Sequence, residues 1–176
     1  MLIEIEETPN NRVRNFYFNS PVLKAYQAEY ADNGTSSPST LSKNILGLGK
    51  IKRVLLLPDS LFVETKEDVD WSVLSPQIMA EIVEYDFSEF QSFDFSAQNV
   101  NAQIDALIEA RIRPFLLRDG GNIDVLDLKD GALKVRLLGH CKGCPHAENT
   151  LKNTVEGVLK RYISNIKKVQ KEDGNV

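Results

Sequence analysis

The sequence predicts an α+β protein built from two small domains. Three observations carry that reading. The first half mixes period-two and helical patterns over short segments, and the second half runs helix, β-hairpin, cysteine loop, helix. Between them lies DFSEFQSFDFSAQN (residues 86–99), a stretch that follows neither periodicity. The expected division is a first domain over residues 1–88, a linker over 89–98, and a second domain over 99–171.

In the first half, Ile3 and Ile5 alternate with Glu4 and Glu6, the mark of a half-buried strand. VRNFYF (Val13 to Phe18) reads as a second strand, and the apolar stretch after Pro21 as a third. Residues 32–40, DNGTSSPST, are a loop by composition, with Ser39 or Thr40 as the cap of a short helix through Asn44 to Leu46. IKRVLLL (Ile51 to Leu57) and LFVETK (Leu61 to Lys66) are paired strands across the Pro58-Asp59-Ser60 turn. Ser75-Pro76 offers a cap followed by a proline at the first helical position, with Ile78, Ile82 and Val83 as the apolar face behind it.

In the second half, Ile104, Leu107, Ile108, Ile112, Phe115 and Leu116 recur at helical spacing up to Asp119-Gly120-Gly121. Pro114 inside that run predicts a kink or restart. Ile123, Val125 and Leu128, then Asp130-Gly131, then Leu133, Val135 and Leu137 spell a hairpin. Leu151, Val155, Val158, Leu159 and Tyr162 mark a final helix, with a short apolar coda at Ile166 and Val169. Lys160, Arg161, Lys167, Lys168 and Lys171 read as a solvated basic helix end.

Bulk composition narrows the function. With 21 basic and 25 acidic residues the net charge is −4, which argues against a nucleic-acid partner. No apolar run approaches the roughly 18 residues of a membrane span, so no membrane is expected. The acidic, alternating start is unlike a signal or transit peptide, and two cysteines are no secreted disulfide framework, so a cytoplasmic location is expected. Asp119 has no nucleophile–base set around it, and no small-molecule substrate site is visible.

Both cysteines and both histidines fall within HCKGCPH, residues 140–146. Pro145 in the first turn of the following helix would put Cys144 at or next to its N-cap, where the dipole, aided by Lys142, favours a thiolate. Three chemistries compete for that sulfur. A Cys2His2 zinc site within one chain is poor, because four ligands so close in sequence cannot converge tetrahedrally; a zinc-bridged structural dimer remains open. A thiol–disulfide pair would also precede a helix, but the upstream context is a hairpin and the proline follows the second cysteine. An iron–sulfur cluster takes four thiolates, which two copies of Cys141 and Cys144 supply across a twofold axis.

RIRPFLLRDGGNIDV (Arg111 to Val125) and GHCKGCP (Gly139 to Pro145) leading into LKNTVEGVL resemble the NifU-like C-terminal domain of the Nfu family of iron–sulfur scaffolds and carriers. EETPN (Glu6 to Asn10), SPVL (Ser20 to Leu23), DSLFVETK (Asp59 to Lys66) and Asp70-Trp71 resemble that family's N-terminal domain. The resemblance implies that Cys141 and Cys144 bind a labile 4Fe–4S cluster (2Fe–2S being the other type open to two CxxC motifs) across a homodimer. It further implies delivery to apo iron–sulfur proteins, supply by upstream cluster-assembly machinery, and no catalysed covalent reaction. His140 and His146 receive no role.

Overall fold

The acidic-apolar alternation at the start of the chain forms β1 (Ile3–Glu7), paired antiparallel with β2 (Val13–Phe18). The computed structural model describes residues 1–172, which separate into two units, Met1–Asn99 and the residues from Val100 onward. In the first unit β4 (Ile51–Leu57) and β5 (Ser60–Thr65) are the central hairpin of an antiparallel sheet ordered β1-β2-β5-β4-β3. Every residue of β5 is buried, as befits a strand covered on both faces. The third strand is β3 (Glu29–Asp32), not the stretch after Pro21, whose backbone turns away, with Val22 N donating to Pro58 O at 2.8 Å.

Ser39 caps α1 (Thr40–Gly47), its side chain accepting from Ser42 N at 3.1 Å. The cap is itself anchored: Ser39 N and Oγ donate to the buried Glu29 carboxylate at 2.6 and 2.7 Å. Burial pushes that carboxyl above its ordinary range, against the opposing pull of the two Ser39 bonds. The second helix, α2 (Trp71–Glu84), starts four residues before Ser75, because Asp70 caps it by accepting from Ser72 N at 3.0 Å. Pro76 therefore lies inside the helix, where it forgoes one backbone bond.

Asp-aromatic-Ser recurs three times, at Asp70-Trp71-Ser72, Asp86-Phe87-Ser88 and Asp94-Phe95-Ser96. In each, the aspartate accepts from the serine backbone N–H and hydroxyl. The last two start 3₁₀ turns, Phe87–Gln91 and Phe95–Ala97. These turns aim Phe87, Phe90, Phe93 and Phe95 at one another, with ring centroids 5.0 to 6.3 Å apart. Phe90 is buried in the core with Phe16, Leu41 and Ile78, and the other rings pack against it. The aromatic stretch is thus part of the first unit's packing. Gln98 completes it, its Oε1 accepting from Tyr30 N at 3.0 Å along the outer side of β3.

In the second unit the helical run comprises α3 (Val100–Leu107), a π turn (Ile108–Ile112) and α4 (Arg113–Arg118). Pro114 has no N–H for the residue four back, and the widened turn just before it accommodates that loss. β6 (Gly121–Lys129) and β7 (Ala132–Gly139) form the hairpin, turning at Asp130 (φ 52°) and Gly131 (φ 82°). A bulge lies between Val125 and Asp127. The following helix comprises α5 (Ala147–Asn149), a π segment (Thr150–Glu156) and α6 (Gly157–Tyr162).

The coda is a strand. β8 (Lys168–Lys171) lies parallel to β7, with Leu133 opposite Val169. The loop and helix between β7 and β8 therefore make a βαβ crossover, which the hairpin context did not lead one to expect. Glu156 fastens it, one carboxylate oxygen accepting from Val169 N at 2.9 Å and the other from Lys160 Nζ at 2.6 Å. Ile104, Leu107, Ile112, Leu137, Val155 and Leu159 are at most 1% exposed and form this unit's core.

Candidate functional site

The cysteine loop begins where β7 ends. Gly139, directly opposite Gly121, takes φ 63°, a conformation open to glycine and costly for other residues. His140 N donates to Gly120 O at 3.2 Å, and Lys142 N to Gly139 O at 3.0 Å. Cys141 is thereby held between two backbone bonds. Gly143 (φ 76°) then reverses the chain, and Cys144 O accepts from Ala147 N at 3.0 Å.

Pro145 differs from expectation. The helix begins at Ala147, after a turn spanning Cys144 to Ala147 in which Pro145 and His146 (φ −95°, ψ 5°) are the central residues. Proline at the first central position and a bridge-region residue at the second describe a type I turn. Cys144 thus stands ahead of the helix and not at its cap.

The glycines of Asp119-Gly120-Gly121 close the site from the other side. A Cβ on Gly121 would fall 2.1 Å from Cys141 Sγ, and one on Gly120 would fall 2.7 Å from His140 Nδ1. A Cβ on Gly139 would meet Gly120 O at 2.5 Å. The two motifs, about twenty residues apart in sequence, are one packed surface. Arg113 braces it: Nε donates to Glu109 at 2.6 Å, and Nη1 donates to Ile123 O at 3.1 Å and to Asn122 Oδ1. The sequence reading gave Arg113 and Asn122 no role; the polar residue directly after the two glycines was the available signal.

Cys141 and Cys144 are free thiols, each half-buried. Burial pushes the Cys141 thiol up, and the nearby Cys144 and Asp119 charges add to that effect. The thiolate stabilisation expected at Cys144 does not extend to Cys141. With the helix starting only at Ala147, its dipole does not act on Cys141 at close range. Among the described residues no three His, Cys, Asp or Glu side chains are grouped to hold a metal ion. His140 lies over Gly120, and both histidines are exposed. No helix of the described residues is long and apolar enough to cross a membrane.

Residues 3–89 match the family described as scaffold protein Nfu/NifU N terminal, and residues 104–170 match the NifU-like domain. The chain is similar to the Arabidopsis thaliana NifU-like protein 4, mitochondrial, at 31% identity over 98% of this chain and 66% of that protein. NifU-like protein 5, mitochondrial, of the same plant is 31% identical over 98% of this chain and 68% of its own length. The human NFU1 iron-sulfur cluster scaffold homolog, mitochondrial, is 29% identical over 97% of this chain and 71% of its own length. With both domain models matched in order along one chain, and two relatives above 30% identity, the chain belongs to the Nfu/NifU-like family.

Proposed function

We propose that this chain is an iron–sulfur cluster scaffold and carrier. Cys141 and Cys144 of two protomers together bind one labile 4Fe–4S cluster, which then passes to apo iron–sulfur proteins. The observation that carries the reading is the pair of free thiols in a glycine-framed loop, with no further ligand grouped beside them among the described residues. Two thiolates half-fill a cluster's usual four, so a second copy completes the set. The cluster is cargo: recipient thiolates displace the carrier's in turn, and no organic bond is made or broken. Residues 99–171 are the cluster-binding domain of this scheme. Residues 1–88, with the aromatic stretch 89–98 packed on them, are a client-docking or dimer-orienting domain, and upstream assembly machinery supplies the cluster. The relatives' printed names support the scaffold role.

A reducing cytoplasm suits free thiols. The relatives named above are mitochondrial, and cell fractionation decides the location for this chain.

The test is anaerobic native mass spectrometry after reconstitution with iron and sulfide, beside a Cys141→Ala, Cys144→Ala variant. A dimer heavier by one 4Fe–4S unit, absent from the variant, is the expected result. One observation favours a thiol–disulfide oxidoreductase instead, namely the CxxC loop within a βαβ crossover. An iron-free monomer that loses two protons' mass on oxidation would establish that alternative.

A further inference from the structure

We propose that the two cysteines are unequal: Cys141 is the fixed anchor of the cluster, and Cys144 is the ligand surrendered first to a recipient. This rests on the carrier reading above. It is carried by how differently the loop holds the two residues.

Cys141 is restrained from three sides. The residue before it donates to Gly120 O at 3.2 Å, and the residue after it donates to Gly139 O at 3.0 Å. Gly139 itself is paired with Gly121 in the hairpin ladder. The Cys141 sulfur is seated on the Gly121 backbone, so close that a Cβ there would lie 2.1 Å from it. Swinging that sulfur toward Gly121 is blocked, and the hairpin fixes the backbone beneath it.

Cys144 is joined to this frame through Gly143, which has φ 76° and nothing within 4 Å of where its Cβ would be. Its neighbours Gly143, Pro145 and His146 are all exposed. Its carbonyl accepts from Ala147 N, which ties its backbone to the helix side of the loop. A ligand on a hinge between two elements yields before one embedded in the sheet's end.

In the exchange, a recipient thiol loses its proton as its sulfur bonds to the iron held by Cys144. The iron–Cys144 bond breaks, and the released sulfur takes up one proton. Iron and sulfide keep their oxidation states, so no oxidant or reductant is consumed. Cys141 retains the cluster until a second recipient thiolate has engaged.

Two measurements test this. The single variants Cys141→Ser and Cys144→Ser are reconstituted anaerobically, and cluster loss to an iron chelator is followed by visible absorbance. Cys144→Ser should take up cluster and lose it on the order of tenfold faster than the native chain, whereas Cys141→Ser should hold none. Separately, amide exchange on the cluster-free native chain should show His140 and Lys142 protected at least about tenfold more than Cys144. Equal cluster loss from the two serine variants, or equal exchange at the three amides, overturns the inequality. If the native chain takes up no cluster while the exchange pattern holds, the carrier reading falls and the mechanical inequality of the loop stands.

Discussion

A methyl group at position 139 would have to occupy space 2.5 Å from the Gly120 carbonyl oxygen, on a backbone already at φ 63°. Both are backbone constraints, so side-chain rearrangement cannot relieve them. Gly139→Ala should cost about 2 kcal/mol or more in stability, read as a lowered urea midpoint for the second unit. Charge at the same loop is tested by Asp119→Asn. Asp119 is the smallest of the three causes raising the Cys141 thiol, after burial and Cys144, so the variant should titrate lower than the native chain but remain raised. Ultraviolet thiolate absorbance against pH measures it. Both cysteines and the glycine pair were legible as residue types. Their contact was not, because Gly121 meets Cys141 only once β6 and β7 pair in their particular register.

Among elements, the aromatic turns carry more packing than their polar composition implies. Phe90 is 5% exposed and has Phe87, Phe93, Phe95 and Tyr85 around it. Phe90→Ala should lower the first unit's stability by about 3–5 kcal/mol, seen as a lower thermal midpoint. The contact between β3 and α1 gives a pH signature. Because burial raises the Glu29 pKa in the fold, its contribution is full below the unfolded carboxylate range and is lost as pH rises through the folded value. The stability difference between the native chain and Glu29→Gln should therefore shift against the native chain from mildly acidic to neutral pH, in paired urea titrations. Strong periodicity made β1, β2, β4, β5 and the hairpin readable. The start of α2 was missed because Ser75-Pro76 is a persuasive cap, while Asp70 supplies the bond that forms first along the chain. β8 was missed because KVQK offers one apolar side chain, and its pairing with β7 lies far away in sequence.

Over the whole chain, each unit has its own buried core, and the thiols and the glycines that seat them all belong to the second. A protein comprising residues from Val100 onward should fold on its own and still form the cluster-bearing dimer of the carrier reading. Circular dichroism and native mass spectrometry check the two parts separately. A folded fragment without cluster uptake would assign the first unit a part in assembling the site. The two-domain α+β order was legible because the aromatic stretch interrupts both periodicities. Its packing role was hidden, since Asp-aromatic-Ser becomes recognisable as a capping device only when the three copies are seen to fold alike.

The parallel pairing of β8 with β7 has a consequence for synthesis. The loop at Cys141 and Cys144 is closed at one end by a hairpin made from local contacts, and at the other by a helix that Glu156 fastens to Val169. The hairpin can form as soon as it leaves the ribosome, but the crossover must wait until residues as far as Lys171 have emerged. A nascent chain displaying both cysteines therefore still lacks the strand that completes their frame. The last piece of the unit around the cysteines is thus made more than twenty residues after Cys144.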